Sequence, residues 1–165
     1  MLIYNLYMNI NITNTGKAEL FGLLFQHIRL FTEHINVTFD KEKLFMQSMD
    51  SARVSVFELM LPSSWFDNYK HNSSSGITIG IHANMLFKIL NTRDKSQDIE
   101  LIYNENDDKL YINFSSTNAS VFDKRFELPL IDLDCELMAI PESESEAEFS
   151  IDSTIFSNLI NQLKI

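Results

Sequence analysis

Ile131-Asp-Leu-Asp-Cys-Glu-Leu-Met-Ala-Ile-Pro-Glu142 mixes apolar and acidic residues with neither a helical nor a strand period. Pro141 limits any regular element, and acids run from Glu127 to Glu148 without one Lys or Arg, which keeps the segment in water. A solvated segment that carries Leu137, Met138 and Ile140 offers an exposed apolar strip, and such strips tend to be sites of partner contact. The alternative is a linker whose apolar residues lie flat on the neighbouring domain. Either way the stretch divides the chain into a first domain over 1–128, a connector over 129–146 and the beginning of a second domain over 147–165.

Upstream of it, the spacing of apolar residues predicts a strand over 2–12, a break at Asn14-Thr15-Gly16 and an amphipathic helix over 17–34. Phe21, Leu24, Phe25, Ile28 and Phe31 form that helix's apolar face, leaving Glu19, Gly22, Gln26, Arg29 and Glu33 on the other. Strands over 36–39, 44–49 and 53–61 follow, closed by Pro62. The order then repeats: strands over 65–69 and 77–81, a helix over 83–91 with Met85, Leu86, Ile89 and Leu90 inward, and strands over 98–103, 109–114 and 120–128. This predicts an α+β fold of two strand–helix–three-strand units. Downstream, 147–151 reads as a strand, and Ser153 begins a helix carrying Phe156, Leu159, Ile160 and Leu163 on one side. A lone strand and helix cannot bury their apolar faces within themselves, so their partners are expected from sequence beyond Ile165 or from another chain.

At 165 residues and 45% hydrophobic the chain can bury one good core. It has no secretory signal pattern and no apolar run long enough to cross a bilayer, so the expectation is a soluble, intracellular protein with no membrane partner. Cys135 is the single cysteine and permits no internal disulfide. The net charge of −10 argues against a protein that simply coats nucleic acid, although cations gathered on one face remain compatible with DNA. His27, His34, His71 and His82 fall in no zinc-ligand spacing with cysteine and in no His-Glu-x-x-His arrangement, and read as surface or packing residues. Asp132 and Asp134 read as solvated linker acids rather than ion ligands. With no phosphate-cradling Gly-rich loop and no nucleophile elbow, the sequence makes no positive case for an enzyme.

Gln47-Ser-Met-Asp50 followed by Val54-Ser55, then Ile131-Asp-Leu-Asp134 and Ile140-Pro-Glu142, resemble the proliferating cell nuclear antigen (PCNA) family of sliding clamps in wording and spacing. Phe66-Asp-x-Tyr69 and Lys88-Ile-Leu90 match as well, and the resemblance runs from about Gly16 to the end of the chain. It implies antiparallel sheets outside and helices on one face, two such domains per subunit and a ring of subunits, homotrimeric in the full-length form, closed around duplex DNA, with no catalysis, cofactor or metal. It also implies a DNA polymerase, other clients carrying a short clamp-binding peptide, and a clamp loader as partners. The implied location is the nucleus, or the site of DNA replication in an infected cell for a viral member. By positional match, Met49, Arg53, Val54 and Val56 would line one wall of a client pocket under the connector, and Met138, Ile140 and Pro141 the other. For Met49, Val54 and Val56 the alternative is ordinary strand core. Lys17, Arg29, Lys88 and Arg93 would face DNA, with Lys95 just beyond. Ser120, Val121, Phe122, Lys124 and Phe126 match the edge strand that pairs between neighbouring subunits.

The chain departs from the family at Arg53, where a smaller or aromatic-like residue is common. It departs again in the third helix, where Asn158, Asn161 and Gln162 replace cations and Lys164 stands alone. The third departure is length, because the chain stops inside the expected second domain and would leave the edge strand open to association. Two readings follow: a DNA-encircling processivity clamp, or a clamp-derived interaction module that binds client peptides or a clamp subunit without encircling DNA.

Overall fold

A computed structural model describes residues 6–50, 52–134, 137–140 and 147–163 of the chain. Among the described residues, alternating apolar residues build nine strands, and these pair into two sheets. The strands are β1 (Leu6–Ile12), β2 (His34–Phe39), β3 (Lys43–Met49), β4 (Val56–Pro62), β5 (Asn68–His71), β6 (Ile77–His82), β7 (Asp98–Asn104), β8 (Lys109–Ser115) and β9 (Lys124–Pro129). The helices are α1 (Thr15–Phe31), α2 (Ala83–Leu90) and α3 (Ser153–Leu163). A five-stranded sheet runs β5-β1-β7-β8-β9 and a four-stranded one β4-β3-β2-β6, with every strand pair antiparallel.

The expected repeat is present as β1-α1-β2-β3-β4 and β6-α2-β7-β8-β9, with β5 added between them. The units interleave. The first strand of each sits in the other's sheet, β1 against β7 and β6 against β2, so neither unit can close its sheet alone. One core results: Met8, Ile10 and Ile12 of β1 and Ile112 and Phe114 of β8 are fully buried, and Phe21 and Phe25 of α1 stack edge to face within it at 5.2 Å.

Several boundaries shift. Asn14 caps α1 by accepting the Lys17 amide at 3.1 Å, so the helix begins two residues earlier than its apolar face suggests. It ends at Phe31, and His34 already belongs to β2. Trp65 lies in a 3-10 turn (Ser63–Trp65) that precedes β5. Arg53 and Val54 lie in the β3–β4 loop, where Arg53 adopts a φ of 57°, incompatible with a strand. Met85 is exposed rather than inward, because α2 spans a single short stretch of 8 residues and turns only Ala83, Leu86 and Leu90 fully inside. Residues 147–151 form no strand and pair with none of the strands among the described residues, and α3 is exposed along its whole length.

Asp67 fastens the start of α1 to the turn before β5. Its Oδ2 accepts the amides of Thr13 at 2.7 Å and Asn14 at 3.0 Å, and Lys17 Nζ lies 3.4 Å from Oδ1. Those amides, Asn14 first and then Thr13, hold the carboxyl down to about 2 against an ordinary 3.8. A carboxyl whose pKa is depressed on folding contributes stability above its unfolded pKa and loses it as pH falls toward the folded one. Asp67→Asn is therefore expected to flatten the acid limb of the Tm–pH profile between about 3.8 and about 2. Equal slopes for the two proteins in thermal melts across that window would contradict this role.

Candidate functional site

Register and alternation divide the residues of the four-stranded sheet between two faces. Ile35, Val37, Phe39, Leu44, Met46 and Ile79 point into the core. The opposite face carries His34, Asn36 and Thr38 of β2, Phe45, Gln47 and Met49 of β3, Val56 and Glu58 of β4, and Gly80 and His82 of β6. The chain leaving β9 crosses this second face.

Its crossing is fixed at three points. The Ile131 amide donates to the Gly80 carbonyl at 2.8 Å, forming an isolated bridge on β6. Asn36 Nδ2 donates to the Leu133 carbonyl at 3.2 Å. Farther on, Gln47 pairs with the Met138 backbone in both directions: Oε1 accepts the amide at 2.7 Å and Nε2 donates to the carbonyl at 3.0 Å. Gln47 Nε2 also donates to Glu58 Oε1 at 2.7 Å, which orients the amide for that pairing. Gly80 makes the close approach possible, because a Cβ there would lie 2.2 Å from the Ile131 carbonyl oxygen and 2.9 Å from Leu133 Cγ.

Between segment and sheet lies a cleft of about 350 Å³ lined by His34, Phe45, Met49, Leu133, Leu137 and Met138 among others. Met49 and Met138, placed on opposite walls of a client pocket by the resemblance, both line this cleft. Val56 is Met49's register partner on β4, and Val54 is 83% exposed in the adjoining loop. Neither Met49, Val54 nor Val56 belongs to the buried core. Asp50 shapes that loop by accepting the Val54 and Ser55 amides at 2.8 and 2.9 Å, and those bonds, Ser55 first, hold its carboxyl below the usual carboxylate range. Ile140 is exposed just past Met138 and does not line the cleft, while Pro141 lies outside the described residues. Polarizable methionines beside half-exposed leucines and Phe45 make an adaptable apolar slot, closed on one side by backbone that is itself hydrogen-bonded to the sheet.

The expected DNA-facing cations are mostly occupied. Lys17 reaches Asp67 and lies 5.8 Å over the Trp65 ring. Arg29 stacks 4.2 Å over Phe87 and points toward Asn84. Arg93 donates to the carbonyls of Asp94, Lys95 and Gln97, as close as 2.7 Å, and burial lowers its pKa from the usual arginine value. Lys95 pairs with Glu19 at 3.6 Å. Lys88 is exposed and has no ion-pair partner among the described residues. The outward face of α1 is not basic: Leu20, Leu23 and Leu30, 46%, 50% and 73% exposed, share it with Glu19, Gln26 and His27.

The edge strand is shorter than its apolar run suggests. Lys124 and Phe126 lie on β9, an edge of the five-stranded sheet. Ser120, Val121 and Phe122 do not, because Asn118 folds the chain into a turn there: its carbonyl accepts the Val121 amide and its side chain the Ser120 amide, each at 3.0 Å. Phe122 is left 87% exposed, and its carbonyl accepts the buried Gln97 at 2.8 Å.

Two interleaved strand–helix–strand units under antiparallel sheets, with a strap across one sheet, define a clamp-type domain. The family model described as proliferating cell nuclear antigen, N-terminal domain, matches residues 6–137, and the chain belongs to that family. Among solved structures it is similar to PCNA from Entamoeba histolytica, with a TM-score of 0.75 and 24% identity over 86% of this chain and 54% of that one. It is also similar to PCNA from Thermococcus kodakaraensis, with a TM-score of 0.71 and 21% identity over 82% of this chain and 51% of that one. At these identities the likeness is one of fold, and the chain spans about half the length of each.

Proposed function

We propose that this chain forms part of a DNA sliding clamp, a non-catalytic processivity factor that encircles duplex DNA and tethers DNA polymerase and other clients through the cleft beside Met49 and Met138. In this reading 1–128 are the first clamp domain, 129–146 the connector and 147–165 the start of a second domain. The full subunit would assemble as a homotrimeric ring opened by a clamp loader, in the nucleus or at the replication site of an infected cell. The observation that carries the reading is the strap itself. A backbone segment held to the sheet through Gly80, Asn36 and Gln47 leaves an apolar slot between them, a shape suited to the anchors of a short amphipathic peptide.

The test is a fluorescence titration of the chain with a labelled peptide carrying one aliphatic and two aromatic anchors, beside Ile140→Ala. Saturable binding is expected, weakened about fivefold by the substitution, since Ile140 is exposed two residues past Met138, where a peptide longer than the cleft would meet it, and its truncation costs about 1 kcal/mol. Identical affinities would remove Ile140 from the site.

The second reading, a module that binds clients or a clamp subunit without encircling DNA, is favoured by one observation. The α1 face that would look into the ring presents Leu20, Leu23 and Leu30, and its neighbouring cations are engaged elsewhere. Phosphate contact requires free cations. Retention on nicked circular duplex that is lost when the DNA is linearised supports the encircling clamp, and no retention on either form supports the module.

A further inference from the structure

We propose that Glu33, His34 and His82 form a binding site for a divalent transition-metal ion of the zinc class, at the end of the strap-bearing sheet. The proposal does not rest on the client-binding reading, although His34 also lines the cleft. His34 and His82 face each other directly across the β2–β6 ladder, and their rings pack edge to face with centroids 5.0 Å apart. Glu33 precedes His34, and one ligand atom from each of the three residues lies within 4.8 Å of the others. In a zinc site with bonds of about 2.0–2.2 Å, donor atoms sit about 3.3 Å apart, so the three donors would have to draw in by at most about 1.5 Å to bind.

The backbones are already fixed for this. The Ala83 amide donates to the Glu33 carbonyl at 2.9 Å, tying the residue after His82 to Glu33, and the Thr32 hydroxyl donates to the His34 carbonyl at 2.8 Å. The His82 ring, in contrast, makes no hydrogen bond among the described residues. Its Nδ1 is buried without a partner, and its Nε2 lies 3.6 Å from Glu33 Oε1, beyond hydrogen-bond length. Nε2 is the nitrogen turned toward Glu33, so coordination there would replace a contact too long for a hydrogen bond with a metal–nitrogen bond.

The donor set suits the ion. Two neutral imidazoles and one carboxylate are borderline ligands that prefer Zn²⁺, Co²⁺ or Ni²⁺ over Mg²⁺ or Ca²⁺, and three protein ligands leave a fourth position for water. The nearby cation does not block it, because Arg29, which lines the cavity beside His82, is turned over Phe87 and toward Asn84.

The experiment is titration of the chain with Zn²⁺ by calorimetry and with Co²⁺ by visible absorption, beside His34→Asn, His82→Asn and His27→Asn. His82→Asn places a preferred capping side chain at the start of α2, so the variant is expected to fold, with circular dichroism as the check. One ion per chain is expected, with low-symmetry cobalt bands. Affinity should fall about 100-fold in His34→Asn and His82→Asn, the upper end of what loss of even an outer-sphere partner costs, and stay unchanged in His27→Asn. No saturable binding, or binding that survives both His34→Asn and His82→Asn, overturns the proposal.

Discussion

Gly80→Ala is expected to release the strap while leaving the sheet intact. Gly80 sits in β6 without a positive φ, so alanine is compatible with its backbone, and the conflict is entirely with the segment that crosses it. An added Cβ would stand 2.2 Å from the Ile131 oxygen, a backbone atom with no rotamer through which to withdraw. The Ile131–Gly80 hydrogen bond and the half-buried Leu133 contact are lost together, each worth about 1 kcal/mol. About 2 kcal/mol of strap docking corresponds to a roughly 30-fold faster exchange of the Ile131 amide and a similar loss of client-peptide affinity. The core lies on the other side of the sheet, so the Tm should move by only a few degrees. Unchanged Ile131 exchange in the variant would mean that the strap does not depend on that approach.

Gln47→Ala is expected to weaken peptide binding about tenfold, through the far end of the same strap. The Gln47 amide acts as a short piece of strand, accepting from the Met138 amide at 2.7 Å and donating to its carbonyl at 3.0 Å. Two net hydrogen bonds at about 0.5–1.5 kcal/mol each hold the wall on which Met138 stands, and about 1.4 kcal/mol of that is a factor of ten. Gln47→Glu should not restore binding. Its carboxylate can accept from the Met138 amide, but it faces that residue's carbonyl and Glu58 with negative charge. Because Gly80→Ala and Gln47→Ala release one segment, the double variant should lose less than the sum of the two, measured as a double-mutant cycle by the same titration. Strict additivity would mean that the two ends of the strap hold independently.

Much of the fold is legible along the chain. Period-two burial in β2, β3, β7 and β8 follows the alternation of Ile35-Val37-Phe39, Leu44-Met46, Ile99-Leu101 and Leu110-Ile112-Phe114. The exchange of β1 and β6 between sheets is not, because local periodicity says which face a residue takes and nothing about which strand pairs with it. The apolar pair Val121 and Phe122 reads as strand, yet Asn118 and Ser120 supply turn chemistry that outweighs it. In α1, the buried face is visible as Phe21, Phe25 and Ile28, whereas Leu20, Leu23 and Leu30 lie outside it and show that an apolar residue at helical spacing is not thereby inside.

The site divides the same way. Met49 is recognisable from its short motif and Met138 by its position between two others, but Phe45 and Gly80 join them, and Gln47 and Leu133 take their places, only because the strap returns over a sheet laid down tens of residues earlier. Glycine within the Ile77–His82 alternation was the one available signal, since a glycine inside a strand marks a close backbone approach. His34 and His82 escape detection for a similar reason: 48 residues separate them in sequence, and one ladder position joins them in space.

The cleft can be interrogated most directly by its own methionines. Methyl resonances of Met8 and Met46 report on the core, Met60 on the edge strand β4, Met85 on the face of α2, and Met49 and Met138 on the slot. Titration of the chain with the client-type peptide is predicted to shift Met49 and Met138 first and most, with Met8 and Met85 unmoved. Shifts centred on Met85, or none at any methyl under saturating peptide, would contradict a peptide-docking role for the strap and the sheet beneath it.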